Sequence, residues 1–504
     1  MDQPGKSRRV GRCVRKAGLF LMAAATALPS ALPAQPEERR AEGRLPSAEA
    51  AFIAYGQPTI AIEHVRIVDG TGAAPRSNMT IIVRNGRIAA LGPSGESTTP
   101  ADATVINGTG KTLLPGFVML HEHLFYPTGN GGIGSYPEIF ARLYLAGGET
   151  TIRTAGSFDP YRDLAVARAI TRGGQIGPDI DVTGPYLDDA SERGSDRVSA
   201  RRDRWPRLVS PADAERIVAY WAEEGATSFK AYDHITRAQL SAAIAAVHAR
   251  GLRITAHLCS VTAREAAELG IDNIEHGFAT LTDFILDKAP DSCPGPLATV
   301  RSIAAQDPDG SAVGALIGTL VSRRVALTST LPILETLVVD RPDPDPSTLA
   351  PLSPALLDNF RQARARVQAD PSSAVFARYF RNVVRMERRL VRAGGLLVAG
   401  SDPTGLGGVV PGASAQRQLR LMVEGGFALP DAVRVMTLNG AHLLGRDHEV
   451  GSIAVGRRAD LTLFDGDLTR DLSALDRLEL VFKAGIGYRA QAIRNAYAGR
   501  VGID

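Results

Sequence analysis

Cysteine is scarce, with three in 504 residues, and no two stand in the Cys-x-x-Cys spacing of zinc ribbons and dithiol redox centres. One of them, Cys13, falls in the N-terminal leader, so Cys259 and Cys293 allow at most one disulfide in the rest of the chain. No apolar run reaches the ~20 residues of a membrane-spanning helix; the stretch Ala17 to Leu28 stops short. There is no short-period repeat and no low-complexity tract, which removes solenoids and disordered arrays from consideration. Neither sign of charge dominates, with 57 basic and 54 acidic residues. Even the small positive excess is local. Residues 1–34 hold six basic residues and one acid, Asp2, so without them the net charge falls from +3 to about −2. A nucleic-acid or anionic-membrane partner loses its support.

What is present begins with that leader. Lys6, Arg8, Arg9, Arg12, Arg15 and Lys16 precede the apolar stretch, and Ala31 or Ala34 offers a cut site. This is the order of a signal peptide over residues 1–34, and it implies a periplasmic or secreted protein with no membrane attachment once the signal is removed. Ser7-Arg8-Arg9 matches a twin-arginine signal only in part, because Gly11 and Arg12 follow the pair. Residues 35–56, polar and alanine-rich, read as a linker.

From residue 57 to 114 the pattern is β, with Asn85-Gly86 marking a hairpin between two alternating runs. A second β-rich segment occupies 448–504. Neither is long enough to bury a sheet alone, so the two ends are expected to combine into one small β-sandwich. Between them, over 115–447, strands alternate with helices. The strands end near His123, Thr154, Pro185, Ala231, Leu258, His276, Ser329 and Gly400. Eight strands in that alternation predict an α/β fold with a (β/α)8 TIM barrel. Two insertions, 188–210 and 280–324, follow strands and so fall on the face where such barrels work.

The chemistry-bearing residues sit at those strand ends. Leu114 to His123 is an apolar run closing on His-x-His, and residues two apart in a strand share a face, so His121 and His123 present two imidazoles together. Lys230 ends strand four, His257 strand five and His276 strand six, and Asp402 follows strand eight. Singly, each has a structural explanation: a surface lysine, two core histidines, a helix N-cap. Jointly, with an interior-type neighbour two positions before each strand-end residue, they point into one mouth. Tyr232 shares the face of Lys230 and suits either packing at the rim or a hydrogen bond to substrate. Cys259 reads as strand-end packing and Glu122 as a carboxylate facing away from the site; His234, just past strand four, reads as structural, with reach into the mouth as the alternative.

Taken together, Pro115-Gly-Phe-Val-Met-Leu-His-Glu-His123, Lys230, His257, Ile274-Glu-His276-Gly and Gly400-Ser-Asp402 resemble the amidohydrolase superfamily of metal-dependent hydrolases. Gly147-Gly-Glu-Thr-Thr-Ile-Arg153, Thr437-Leu-Asn-Gly-Ala441 and Gly451-Ser-Ile-Ala-Val-Gly-Arg-Arg-Ala-Asp460 extend the resemblance over nearly the whole chain from Pro58. It is closest to the imidazolonepropionase-like and Xaa-dipeptidase or prolidase branch. The resemblance implies two divalent metal ions, zinc by the ligand chemistry. His121 and His123 would hold one, His257 and His276 the other. Lys230, carboxylated by CO2 to a carbamate, would bridge them. Asp402 would ligate the first and move the proton, and Tyr232 would stabilise the oxyanion. The implied activity is hydrolysis of an amide or peptide bond in a small-molecule substrate, a dipeptide or an N-acyl amino acid. A lactone, carbamate or phosphotriester is the alternative bond, and a non-catalytic scaffold the alternative of another class. Strand three ends in Gly184-Pro-Tyr-Leu-Asp188, where some dipeptidase relatives carry Gly-Gly-His-Gly. A homo-oligomer is compatible with this reading.

Overall fold

Short apolar runs buried on both faces, separated by helical segments with clear caps, dominate the middle of the chain, and they form parallel strands. A computed structural model describes residues 45–96, 98–129, 131–190 and 206–503. The expected signal at 1–34, and 191–205 of the first insertion, lie outside the described residues.

Eight parallel strand positions follow one another in chain order. They are Phe117–Glu122, Glu149–Thr154, Asp179–Asp181 continuing as Thr183–Asp189, Ser228–Ala231, Arg253–Ala256, Asn273–Glu275, Ala326–Ser329 and Leu397–Ala399. Each pairs with the next, strand three doing so in two halves: its first pairs with strand two, its second with strand four. Past strand eight, the backbone N–H groups of Ser401 and Asp402 donate to His121 O at 3.2 and 3.0 Å, linking the last strand to the first.

Capping chemistry explains where the intervening helices begin. Thr236 and Gln239, at the start of Arg237–His248, exchange side-chain and backbone hydrogen bonds. Thr262 and Glu265 do the same for Ala263–Leu269. The second insertion contains helices Pro296–Ala305 and Ser311–Arg323.

The two chain ends meet in one hydrogen-bonded set of strands. Their strands make one continuous nine-stranded sheet, joined where Leu461–Phe464 pairs antiparallel with Thr112–Pro115. Its buried face carries Ile60, Ile62, Ile81, Leu113, Leu461 and Phe482 from both ends in one apolar cluster. Asn85 and Gly86, at φ 50° and 80°, form the hairpin turn in which both central residues are left-handed. The expected linker 35–56 is corrected at its end. Ile53–Tyr55 forms an edge strand of the same sheet, paired with Ile486–Arg489, because the otherwise open edge of that strand supplies backbone partners.

Candidate metal centre

His121 and His123 leave strand one at its C-terminal end, both almost wholly buried. The Asp402 carboxylate approaches them from beyond strand eight. Its Oδ1 lies 3.6 Å from His121 Nε2 and 3.2 Å from His123 Nε2. One ligand atom from each of these three residues falls within 4.8 Å of the other two. Two imidazoles and a carboxylate at such spacing fit a divalent cation by donor chemistry.

His276 joins from strand six, its Nδ1 2.8 Å from Thr330 Oγ1 and 3.8 Å from Asp402 Oδ2. Its ring centre is 4.5 Å from that of His121 and 4.7 Å from that of His257. His257 stands at the more open side. Its Nδ1 is 2.6 Å from Asp233 Oδ1. Lys230, 2% exposed, enters from strand four, with Nζ 5.5 Å from the Tyr186 ring and 5.9 Å from the Tyr232 ring. Tyr232 packs at the rim, 5.0 Å from Tyr186 and 5.2 Å from His257 between ring centres.

Burial sets the protonation tendencies. It lowers His121 to about 4, assisted by the Lys230 charge, and lowers His123 and His276, so these imidazoles favour their neutral, ligating form. Lys230 is likewise lowered by burial, against the pull of Glu275 and Asp402. Burial works to raise Asp402, but His121, a hydrogen bond from His123, and His276 together hold it well below the usual carboxylate range.

Two of these residues depend on unusual backbone. His276 and Asp402 adopt left-handed φ of 63° and 55°. For non-glycine residues this conformation costs about 1–3 kcal/mol and persists only where the surroundings impose it. At strand six the kink corrects the alternation expected from sequence. Asn273 and Glu275 point inward, where Glu275 reaches His121, while Ile274 joins the outer apolar packing. Plain alternation would therefore turn His276 away. The left-handed turn at His276-Gly277 brings it back to the site, and it is backed so closely by Glu387 that a Cβ on Gly277 would fall 2.2 Å from Oε1.

Below the site lies a polar layer that sequence reasoning missed. Glu275 Oε2 accepts from His121 Nδ1 at 2.7 Å, leaving Nε2 toward Asp402. Glu275 Oε1 accepts from Arg153 Nη2 at 2.7 Å and from Thr255 Oγ1 at 2.6 Å. Arg153 also donates to Asn273 Oδ1 and Leu120 O, each at 2.9 Å. The signal was a charged residue inside each of two strands, Arg153 and Glu275, where neither could be buried unpaired. Glu122 faces away from the histidines, as expected. It is raised by burial to about 8 and accepts from Ser401 N at 2.7 Å and Ser401 Oγ at 2.5 Å, which ties strand one to the residue preceding Asp402. Asp233, beside His257, was also missed. Cys259 is corrected from packing: it is bonded to Cys293, which fastens the second insertion two residues past His257.

The sequence profile of the Amidohydrolase family matches residues 355–486. Imidazolonepropionase of Geobacillus sp. (strain WCH70) is 29% identical over 119 residues, 23% of this chain and 24% of that protein. The matched region thus spans about a quarter of that curated relative. Among solved structures, a candidate prolidase from Bifidobacterium longum aligns over 87% of this chain and 98% of its own, with TM-score 0.61 and 24% identity. A Xaa-Pro dipeptidase with bound methionine in its active site aligns over 86% and 100%, with TM-score 0.63 and 18% identity.

Proposed function

We propose, from the Amidohydrolase family match over residues 355–486 and the resemblance of its strand-end motifs, that this chain is a binuclear metal-dependent hydrolase of the amidohydrolase superfamily. Its bond would be an amide in a small substrate, a dipeptide or an N-acyl amino acid. The observation that carries this reading is the cluster of His121, His123 and Asp402 at the end of the strand set. We read that set, with its strand-eight to strand-one link, as a closed (β/α)8 barrel with the cluster at its C-terminal mouth.

His121, His123 and Asp402 would hold one divalent cation, and His257 and His276, which lie side by side, the other. Cations bound there would supply Lewis acidity, lowering the pKa of water and polarising the scissile carbonyl. Lys230 suits a bridging carbamate because carboxylation needs the neutral amine: its nitrogen bonds to the carbon of CO2 and releases a proton. Burial favours that neutral form. Asp402, at the centre of the imidazoles, takes the proton of the attacking water and delivers it to the leaving amine nitrogen. Tyr232, at the rim, is placed to donate to the developing oxyanion. Glu275 and Arg153 keep His121 oriented from below.

Export is part of the proposal, supported by the basic-then-apolar leader and by a Cys259–Cys293 disulfide that suits an oxidising compartment. The test is hydrolysis of dipeptides and N-acyl amino acids, beside matched esters and lactones. Activity should vanish with chelator, return with zinc and be abolished in Lys230→Ala. Amide cleavage that survives both chelation and the substitution defeats the proposal.

A further inference from the structure

We propose that a second cavity, separate from the candidate metal centre, is a binding site for a free α-amino acid in its zwitterionic form. The cavity measures about 330 Å3, at the lower end of the roughly 300–1,000 Å3 range of small-molecule pockets. Helices Ser414–Glu424 and Pro354–Ala369, the turn Leu472–Asp476 and the last helix, Ala490–Ala496, contribute to its walls. None of the candidate metal ligands is on its lining.

Two polar side chains on that lining lack partners. Ser414 and Gln416, 2% and 6% exposed, stand in the first turn of helix Ser414–Glu424. Gln416 Nε2 donates to Gly147 O at 2.8 Å, which fixes the orientation of the amide. Its Oε1, and Ser414 Oγ, have no hydrogen-bond partner among the described residues. The great majority of buried polar atoms are paired, and leaving one unpaired is costly, so both point to a group that the cavity receives. The same helix starts with no side-chain cap, and its positive end favours an anion nearby. Arg494 stands beside these residues: its Nη2 donates to Ala146 O at 3.1 Å, the carbonyl next to the one that holds Gln416.

The remaining charges on the lining offset one another. Glu335 accepts from Arg417 Nε at 2.7 Å, and Asp343 and Asp476 pair with Arg364 and Arg420, each at 2.9 Å. Asp345, exposed, accepts from Ser347 N at 2.7 Å. Four carboxylates thus face four guanidinium groups, and Arg494 is the one among the four with no ion-pair partner among the described residues. A lining that is neutral overall, yet offers an unclaimed guanidinium and an unclaimed amide oxygen side by side, suits a molecule bearing both charges. The ligand carboxylate accepts from Arg494 and Ser414, and its ammonium donates to Gln416 Oε1.

The test is calorimetry on the metal-loaded full chain with L-leucine, with 4-methylpentanoate, which lacks the ammonium, and with 3-methylbutylamine, which lacks the carboxylate. L-Leucine should bind at least about tenfold tighter than either, since each of the others forgoes a charge-assisted hydrogen bond. Ser414→Ala should weaken leucine binding by about three- to tenfold and leave the melting temperature of the ligand-free protein unchanged or higher, because the hydroxyl it removes has no partner in the fold. Arg494→Met should weaken binding by about tenfold or more; Ser414→Ala keeps the test decisive if that variant folds poorly. His257→Ala, which alters the candidate metal centre instead, should leave this leucine site within about twofold. Absence of leucine binding, which would leave the unpaired atoms to water, overturns the proposal. So do equal affinities for the three compounds, or binding lost in His257→Ala and indifferent to Ser414→Ala and Arg494→Met.

Discussion

Replacing Glu275 by Gln removes one negative charge and almost no volume from the layer under the candidate metal centre. The residue is fully buried, and burial alone would raise its carboxyl; Arg153 and His121 more than reverse this and hold it well below the usual range. In the variant Arg153, 3% exposed, keeps its bonds to Asn273 and Leu120 but loses its counter-charge. Removing one partner of a buried pair costs about 3–5 kcal/mol, because the other charge remains desolvated. His121 loses the acceptor that fixes its ring, a kind of support worth about 10–100-fold in metal affinity. Urea unfolding at pH 7 and metal competition read the two effects separately. The double variant Glu275→Gln with Arg153→Met should be less damaging than the sum of the singles by at least about 1 kcal/mol, as for groups in contact. Additive singles of under about 1 kcal/mol with unchanged metal affinity would refute the role given to this pair.

Three further perturbations test other parts of the molecule. Glu387 is held by burial at about 8, with Oε2 accepting from Ser329 Oγ and Oε1 without a partner among the described residues. Its folded pKa lies above the unfolded value of about 4.3, so its contribution is full below pH ~4.3 and is lost as pH rises through 8. Glu387→Gln should match wild type near pH 4 and exceed it by about 3–5 kcal/mol in urea unfolding above pH 8; a pH-independent difference would contradict this assignment. Gly400→Ala would set a Cβ 2.3–2.7 Å from the Cβ, N and Cα of His121, so stability should fall by about 1–3 kcal/mol and metal affinity with it. Unchanged metal titration in a destabilised variant would show that His121 is not the part displaced. Cys293→Ser opens a bridge spanning 34 residues and should cost about 3–4 kcal/mol of unfolding free energy. Since the bridge also fastens the second insertion beside His257, KM should rise more than kcat falls; a pure stability loss would count against that coupling.

Much of the strand framework was legible because it rests on local signals. The Asn85-Gly86 hairpin, the capping threonines 236 and 262, and the short buried runs each carry their own stereochemical preference. Alternation also placed His121, Lys230 and His257 on inward faces beside Met119, Ser228 and Thr255, since plain pleating suffices there. It failed at His276, where the backbone leaves the strand. The edge strand Ile53–Tyr55 was read as linker because its only reason to be extended is a partner more than 400 residues away.

By itself, then, the sequence determined the order of strands and helices and which residue types stand at the strand ends, since both follow from contacts within a few residues. Tertiary structure alone decided that His276 and Asp402 take left-handed backbone, that Glu275 and Arg153 pair beneath His121, and that Cys259 meets Cys293. Each of those depends on atoms brought together from distant segments, where burial makes an unpaired charge or a misdirected side chain too costly to persist.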